Sequence, residues 1–164
     1  MLKFVDVIVG FSEIPDEISL CINISNCPNN CVGCHSSYLK EDIGFELTNP
    51  LLMDMIEQHR GITCVCLMGG DREPHSILML ARAIKVAYPE LKVAWYSGKD
   101  TLPECIKLNI HNFDYIKVGS YIANKGGLDN PNTNQIMYEI NRLSKLGDNW
   151  CLTDITHKFW KKSI

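Results

Sequence analysis

The clearest hydrophobic pattern in the chain is the alternation in ISLCINIS, residues 18–25. Its isoleucines and its leucine fall on one face of an extended backbone, whereas its serines, Cys21 and Asn23 fall on the other. Strict alternation of this kind is typical of a β-strand. We therefore predict a strand over these residues, and this strand leads directly into Cys27.

Strand-like and helix-like patterns then alternate along the chain. Apolar runs predict further strands at residues 62–68, 91–96 and 114–119. Apolar stripes at helical spacing predict helices at residues 48–61 and 76–88, with a third, short helix near Thr101. The pattern weakens after Gly119, where residues 135–146, QIMYEINRLSKL, are interpreted as a short helix.

Strands that alternate with helices through short connections predict an α/β fold with a mainly parallel sheet. We expect a single domain over residues 1–164, with a core at about residues 18–120 and a less regular segment at 121–164. Ligands of such sheets bind at the carboxyl ends of the strands. The cysteine-rich and glycine-rich segments follow the predicted strands, so they are expected to meet at one site.

Composition narrows the range of partners. The 164 residues carry a formal net charge of −3, which gives no electrostatic reason to expect binding to nucleic acid or to a membrane surface. Asp6 and Glu13 interrupt the N-terminal apolar run, so we predict no secretory signal. The expected location is the cytoplasm, where thiols stay reduced.

Three of the eight cysteines, Cys27, Cys31 and Cys34, lie within eight residues. A four-iron cluster needs four ligands, so three thiolates would leave one iron open for a substrate or cofactor. Zinc is the alternative, with Cys21 or His35 as a fourth ligand, although no second closely spaced pair is present. A disulfide is disfavoured in the reducing cytoplasm.

The remaining cysteines are assigned no chemistry. Cys64 and Cys66 lie inside an apolar run and are expected to pack as small buried side chains. Cys105 falls on a predicted helix, and Cys151 lies in the C-terminal segment, whose role the sequence leaves open.

The Cys-x-x-x-Cys-x-x-Cys spacing at the end of a predicted strand resembles the radical S-adenosylmethionine (SAM) superfamily. The Gly-Gly-Asp of residues 69–71, one strand and helix later, is similar to the Gly-Gly-Glu element of that superfamily. The resemblance implies a partial, open (β/α) barrel of radical SAM type. It also implies a 4Fe-4S cluster bound by Cys27, Cys31 and Cys34, and SAM as the second cofactor.

Within that superfamily, the chain resembles the activating proteins of anaerobic ribonucleoside-triphosphate reductases. The shared elements are Gly33 before the third cysteine, MGGD, WYSG, DYIKVG and NTNQ, and they extend from Phe4 to Gln135. The resemblance implies reductive cleavage of SAM and transfer of a hydrogen atom from a glycine of the large reductase subunit. That subunit and a one-electron donor such as flavodoxin or ferredoxin are the implied partners.

The resemblance also implies SAM contacts. Cys34 with its neighbours Gly33 and His35 would lie near SAM, and Gly69, Gly70 and Asp71 would hold its methionine end. Ser97 is interpreted as a ribose contact or, equally, as a turn serine beside Gly98. No catalytic side chain beyond the cluster ligands is implied.

Two other functions remain open. The first is a different small radical SAM enzyme, either an activase of another glycyl radical enzyme or an enzyme like 7-carboxy-7-deazaguanine synthase. The second is a zinc-binding interaction module without enzymatic activity.

Overall fold

The computed structural model of the chain describes residues 1–143 and 149–160. Eight strands form one sheet in the order β3-β1-β2-β4-β5-β6-β7-β8. The strands are β1 (Lys3–Gly10), β2 (Ser19–Ile24), β3 (Phe45–Glu46), β4 (Cys64–Met68), β5 (Lys92–Tyr96), β6 (Tyr115–Val118), β7 (Ile136–Arg142) and β8 (Trp150–Asp154). Within the described residues β3 and β8 are opposite edges, so the sheet is open and not closed into a barrel.

Three α-helices connect the central strands. They are α1 (Asn49–Gln58), α2 (Pro74–Ala87) and α3 (Glu104–Lys107). Short 3-10 turns occur at Ser37–Lys40, Ile110–Asn112 and Thr156–Phe159. Helix α1 is capped by the Thr48 side chain, which accepts a hydrogen bond from the Leu51 N–H. Helix α2 begins two residues before Ser76, the start expected from the sequence, because Pro74 is well suited to the first turn.

The centre of the sheet has the predicted parallel arrangement. Strand β2 pairs with β4, β4 with β5, and β5 with β6, all in parallel register. Helix α1 precedes β4, helix α2 precedes β5, and helix α3 precedes β6. A helical crossover returns the chain to the same end of the sheet, which is why these four strands run in one direction.

The prediction of a mainly parallel sheet is wrong for the sheet as a whole. Four of its seven pairings are antiparallel: β1 with β2, β1 with β3, β6 with β7, and β7 with β8. No helical crossover separates these strands along the chain within the described residues, and antiparallel neighbours need only a turn or loop between them. The sheet is therefore mixed.

The helix predicted for residues 135–146 is also wrong, because Ile136–Arg142 form strand β7. The three-residue spacing of Met137 and Ile140 suits one face of a helix, but the structure buries them in different cores on opposite faces of a strand. The tertiary context decides, since β7 pairs with β6 on one side and with β8 on the other. Residues 144–146 of the predicted helix lie outside the described residues.

The two faces of the sheet carry different cores. All three helices pack on one face, in a cluster that includes Leu52 of α1, Ile77 of α2 and Ile106 of α3. The other face forms a smaller cluster around Cys21 and Cys66. That cluster is covered by residues from the connecting segments, among them Ile14, Leu128 and Ile155. We call this second face the inner face.

None of the helices in residues 1–143 and 149–160 has the length and apolar character needed to cross a bilayer.

The amino-terminal end of the inner face is held by a buried carboxylate. Glu17 is 8% exposed and accepts hydrogen bonds from the Lys92 ammonium at 2.5 Å, the Thr63 hydroxyl at 2.6 Å and the Tyr115 hydroxyl at 3.0 Å. Burial alone would raise the pKa of Glu17, but these three donors outweigh it and lower the pKa below its ordinary value of 4.5.

We predict that Glu17→Gln lowers the free energy of unfolding by about 2 kcal/mol at neutral pH. Lys92 is 44% exposed, so the loss stays below that of a fully buried pair. Because the pKa is depressed in the folded state, this stabilisation is present above pH 4.5 and is lost as the pH falls through the folded pKa. Urea unfolding of both chains across this range is the measurement, and a difference that stays constant down to pH 3 would contradict the prediction.

Candidate functional site

The inner face ends in one row of side chains at the carboxyl ends of the parallel strands. Asn23 of β2 pairs in register with Met68 of β4, Met68 with Tyr96 of β5, and Tyr96 with Lys117 of β6. Side chains two residues apart on a strand share a face, so all four belong to the inner face along with Cys21 and Cys66. This row is the floor of the candidate site.

The row of side chains below the floor is buried. Cys21, Cys66, Ala94 and Tyr115 occupy successive register positions, and the first three are fully buried. Burial raises the pKa of the Cys66 thiol well above its usual range, and that of Cys64 likewise. These cysteines therefore pack as neutral side chains, in agreement with the packing role expected for Cys64 and Cys66.

The cysteine-bearing loop leaves β2 and closes on itself. Asn26 has a left-handed backbone with φ of 60°. Its N–H donates to the Glu41 carbonyl at 2.9 Å, and the Cys27 N–H donates to the Leu39 carbonyl at 2.9 Å. These two bonds join the beginning of the loop to its end, so the segment that carries the three cysteines is held against the sheet edge.

Gly33 allows the tight turn that separates the last two cysteines. The Cys34 N–H donates to the Cys31 carbonyl at 3.4 Å, and Gly33 at the third turn position has φ of +77°. A turn of this type needs a positive φ there, which glycine adopts without steric cost. Gly33 thus shapes the loop, and its Cα faces Ala123 and Tyr121 of the segment after β6.

All three cysteines of the loop open onto one cavity of about 530 Å³ above the floor. Of the other residues predicted to bind SAM, His35 and Gly69 also line it. Gly33, Gly70, Asp71 and Ser97 do not line it but lie in the loops around it. The remaining walls come from Leu39, from the ends of β4, β5 and β6, and from residues 127–129.

The thiols influence one another electrostatically. Burial raises the pKa of Cys27 most, a backbone hydrogen bond with Asn29 opposes the shift, and Asp71, Cys31 and Cys34 raise it further. A cation bound beside Cys27 would favour its thiolate form. A metal cluster supplies such a charge.

The donor set fits a metal–sulfur group better than a disulfide. All eight cysteines are free. Within residues 1–143 and 149–160, no three His, Cys, Asp or Glu side chains already form a metal-holding group. Binding a cluster would therefore require the loop to bring its three thiolates together. Thiolate ligands suit iron–sulfur clusters and zinc alike, so the ligand types leave both open.

The Asp71 carboxylate joins three loops around the cavity. One oxygen accepts from the Ser97 hydroxyl at 2.5 Å, and the other accepts from the Gly98 N–H at 2.8 Å and from the Asn29 side-chain amide at 2.9 Å. Asn29 lies between the first two cysteines. We call this arrangement the Asp71 clasp, and it ties the cysteine loop to the ends of β4 and β5.

The clasp refines the roles expected for Asp71 and Ser97. Ser97 is 1% exposed, and its hydroxyl both donates to Asp71 and accepts from the Lys99 N–H. Its geometry is that of a turn serine, one of the two interpretations from the sequence. Contacts of either residue with SAM stay predictions.

Gly70 faces the helices, not the cavity. Its φ is +82°, and a Cβ there would lie 2.5 Å from the side chain of Ile77 in α2. The Gly69 carbonyl accepts a hydrogen bond from the Trp95 indole at 2.7 Å. The two glycines therefore allow a close turn from β4 into α2, and of the two it is Gly69 that reaches the cavity.

Lys117 lines the candidate site, although no sequence motif pointed to it. It is 7% exposed, lines the cavity, and donates to the Gly119 carbonyl at 2.6 Å and the Ser97 carbonyl at 3.2 Å. Burial lowers the pKa of Lys117 to about 8, although Asp71, Cys31, Cys34 and Asp100 oppose the shift. A lysine inside the otherwise apolar run YIKV was the signal that could have identified it.

A wider groove of about 1000 Å³ adjoins the cavity. The two share Met68, Tyr96, Leu128 and Asp129. The far side of the groove is formed by residues 11–16 after β1 and by residues 157–160. The Tyr96 hydroxyl donates to the Glu13 carbonyl, which holds the first of these segments near the floor.

Comparisons with known proteins do not identify a relative: no protein-family model, no curated protein and no solved structure matches this chain.

We predict that replacing Cys27, Cys31 or Cys34 by Ala abolishes the absorption of a four-iron cluster after anaerobic reconstitution with iron and sulfide. Cys64→Ala is the control, because its side chain is fully buried below the floor. It should retain the absorption and lose only about 1 kcal/mol of stability. Loss of the cluster in Cys64→Ala, with the fold intact by circular dichroism, would refute this ligand assignment.

The Asp71 clasp gives a second prediction. Asn29→Ala removes one donor to Asp71 and should lower the free energy of unfolding by about 1 kcal/mol. Amide hydrogen exchange over residues 27–34 should become faster. The matched control is Asn30→Ala, which changes the exposed neighbour of Asn29. Equal exchange rates in the two variants would show that the clasp does not hold the loop.

Proposed function

We propose that the chain is a radical SAM activating protein that generates a glycyl radical on an anaerobic ribonucleoside-triphosphate reductase. The observation that carries the proposal is the cysteine loop. Cys27, Cys31 and Cys34 follow a parallel strand and open onto one cavity, together with Gly69 from the end of the next strand. The open, mixed α/β sheet is compatible with the partial (β/α) barrel of this superfamily.

In this proposal the three thiols bind a 4Fe-4S cluster and the cavity holds SAM. When bound, this pair would supply one-electron reductive cleavage of SAM to methionine and a 5′-deoxyadenosyl radical, which abstracts hydrogen from the glycine of the partner. The chain's own residues hold and enclose the reactants. Leu39 and Leu128 limit water at the sides, while the floor from Asn23 to Lys117 fixes the depth of the cavity.

The neighbouring groove supports a protein substrate. Its space is continuous with the cavity through Met68 and Tyr96, and Phe11 on its far wall is 73% exposed. An extended segment of a partner could lie in the groove and present a glycine to the cavity. A small-molecule substrate would not need this second space.

The test is the reaction itself. The reconstituted chain is incubated anaerobically with the large subunit of an anaerobic ribonucleoside-triphosphate reductase, SAM and dithionite. We expect the doublet of a glycyl radical in electron paramagnetic resonance, at least about tenfold stronger than with Cys34→Ala.

Three outcomes separate the candidates. A doublet supports the proposal. Cleavage of SAM without a doublet contradicts it and favours another small radical SAM enzyme. A colourless protein that binds one zinc ion tightly and never cleaves SAM contradicts it and favours the zinc-binding interaction module.

A further inference from the structure

Lys117 is a buried cation whose partners do not neutralise its charge. Its ammonium is bound by two backbone carbonyls, those of Ser97 and Gly119. Among the described residues it forms no ion pair with a carboxylate. Carbonyl oxygens satisfy hydrogen bonds, but they leave the full positive charge in place.

The nearest acids are already engaged. Asp71 accepts from three donors in the clasp. Asp100 is exposed and accepts from the backbone and side chain of Ser120. Burial of an ammonium without a counter-charge is costly, and proteins rarely retain one without a functional reason. The missing negative charge is therefore expected inside the cavity that Lys117 lines.

The cysteines that share this cavity with Lys117 would supply that charge. Lys117 ends the floor row, and Cys27, Cys31 and Cys34 line the same cavity. Three thiolates outweigh the charge of an oxidised four-iron core, so the bound group is anionic. One further electron makes it more negative, and a fixed cation nearby stabilises that reduced state.

We propose that Lys117 is a built-in counter-charge for the cysteine-bound cluster and sets the potential at which that cluster accepts an electron. The inference rests on the proposed function, since it assumes a four-iron cluster at Cys27, Cys31 and Cys34. The electron comes from an external one-electron donor, no bond is made or broken, and Lys117 keeps its proton throughout.

The test is a redox titration of the reconstituted chain without SAM, followed by electron paramagnetic resonance of the reduced cluster. Lys117→Met removes the buried charge and nearly preserves the shape. At a fixed potential we expect its ratio of reduced to oxidised cluster to fall about tenfold, equal to about 59 mV for a one-electron couple. Lys117→Arg should restore the ratio to within about threefold of wild type.

Lys99→Met is the matched control, because it removes the same charge from an exposed residue in the loop after β5, the strand next to the one that bears Lys117. Its ratio should stay within about twofold of wild type. A Lys117→Met cluster with the wild-type potential would overturn the inference. So would an unchanged potential combined with weaker SAM binding, because Lys117 would then serve the ligand and not the cluster.

Urea unfolding of the cluster-free chain distinguishes the counter-charge role of Lys117 from a structural role. If Lys117 is kept for its charge, the cluster-free Lys117→Met chain should unfold at a urea concentration no lower than wild type, since an uncompensated buried charge is removed. A lower midpoint or a failure to fold would mean that Lys117 mainly ties Ser97 to Gly119, and would overturn the inference. A wild-type chain that takes up no four-iron cluster would contradict the proposed function itself.

Discussion

The in-register parallel pairing of β2, β4, β5 and β6 is the constraint on which the site depends. Because these strands run in one direction and end near one level, Asn23, Met68, Tyr96 and Lys117 form a single row. The loops that follow the strands then start at the same edge of the sheet. That shared starting point is what lets one carboxylate, Asp71, reach the loops after β2 and β5 as well as its own.

The central strands could be predicted because their patterns are local. Residues 62–68 form a short apolar run, and the structure buries Cys64–Leu67 completely, as expected for a strand covered on both faces. Strand β7 could not be predicted in the same way. Its local pattern fits a helix as well as a strand. Pairing with β6 and β8, which are separate segments of the chain, selects the strand.

The same distinction between local and long-range signals applies to the residues of the site. The cysteines are visible from their spacing within eight residues, and Gly69 from the resemblance of the Gly-Gly-Asp turn. The clasp is not found in this way, since Asn29 and Asp71 are 42 residues apart. Asn29 resembles an ordinary loop residue in the sequence, and Asp71 was expected to contact SAM instead. Lys117 lies between these cases: its position inside an apolar strand is visible locally, but the cavity that explains it is assembled from distant segments.

The layering of the inner face also bears on which cysteines are accessible to the proposed cluster. A chain with eight thiols offers iron many incorrect ligands, and Cys21 and Cys66 are only one row below the floor. Cys21 and Cys66 are fully buried and closed to solvent, whereas Cys27, Cys31 and Cys34 are partly exposed on a loop. In the proposed function, selectivity for the triplet would depend on packing by the segments around Ile14, Leu128 and Ile155, which cover the lower row and leave the cavity above it open.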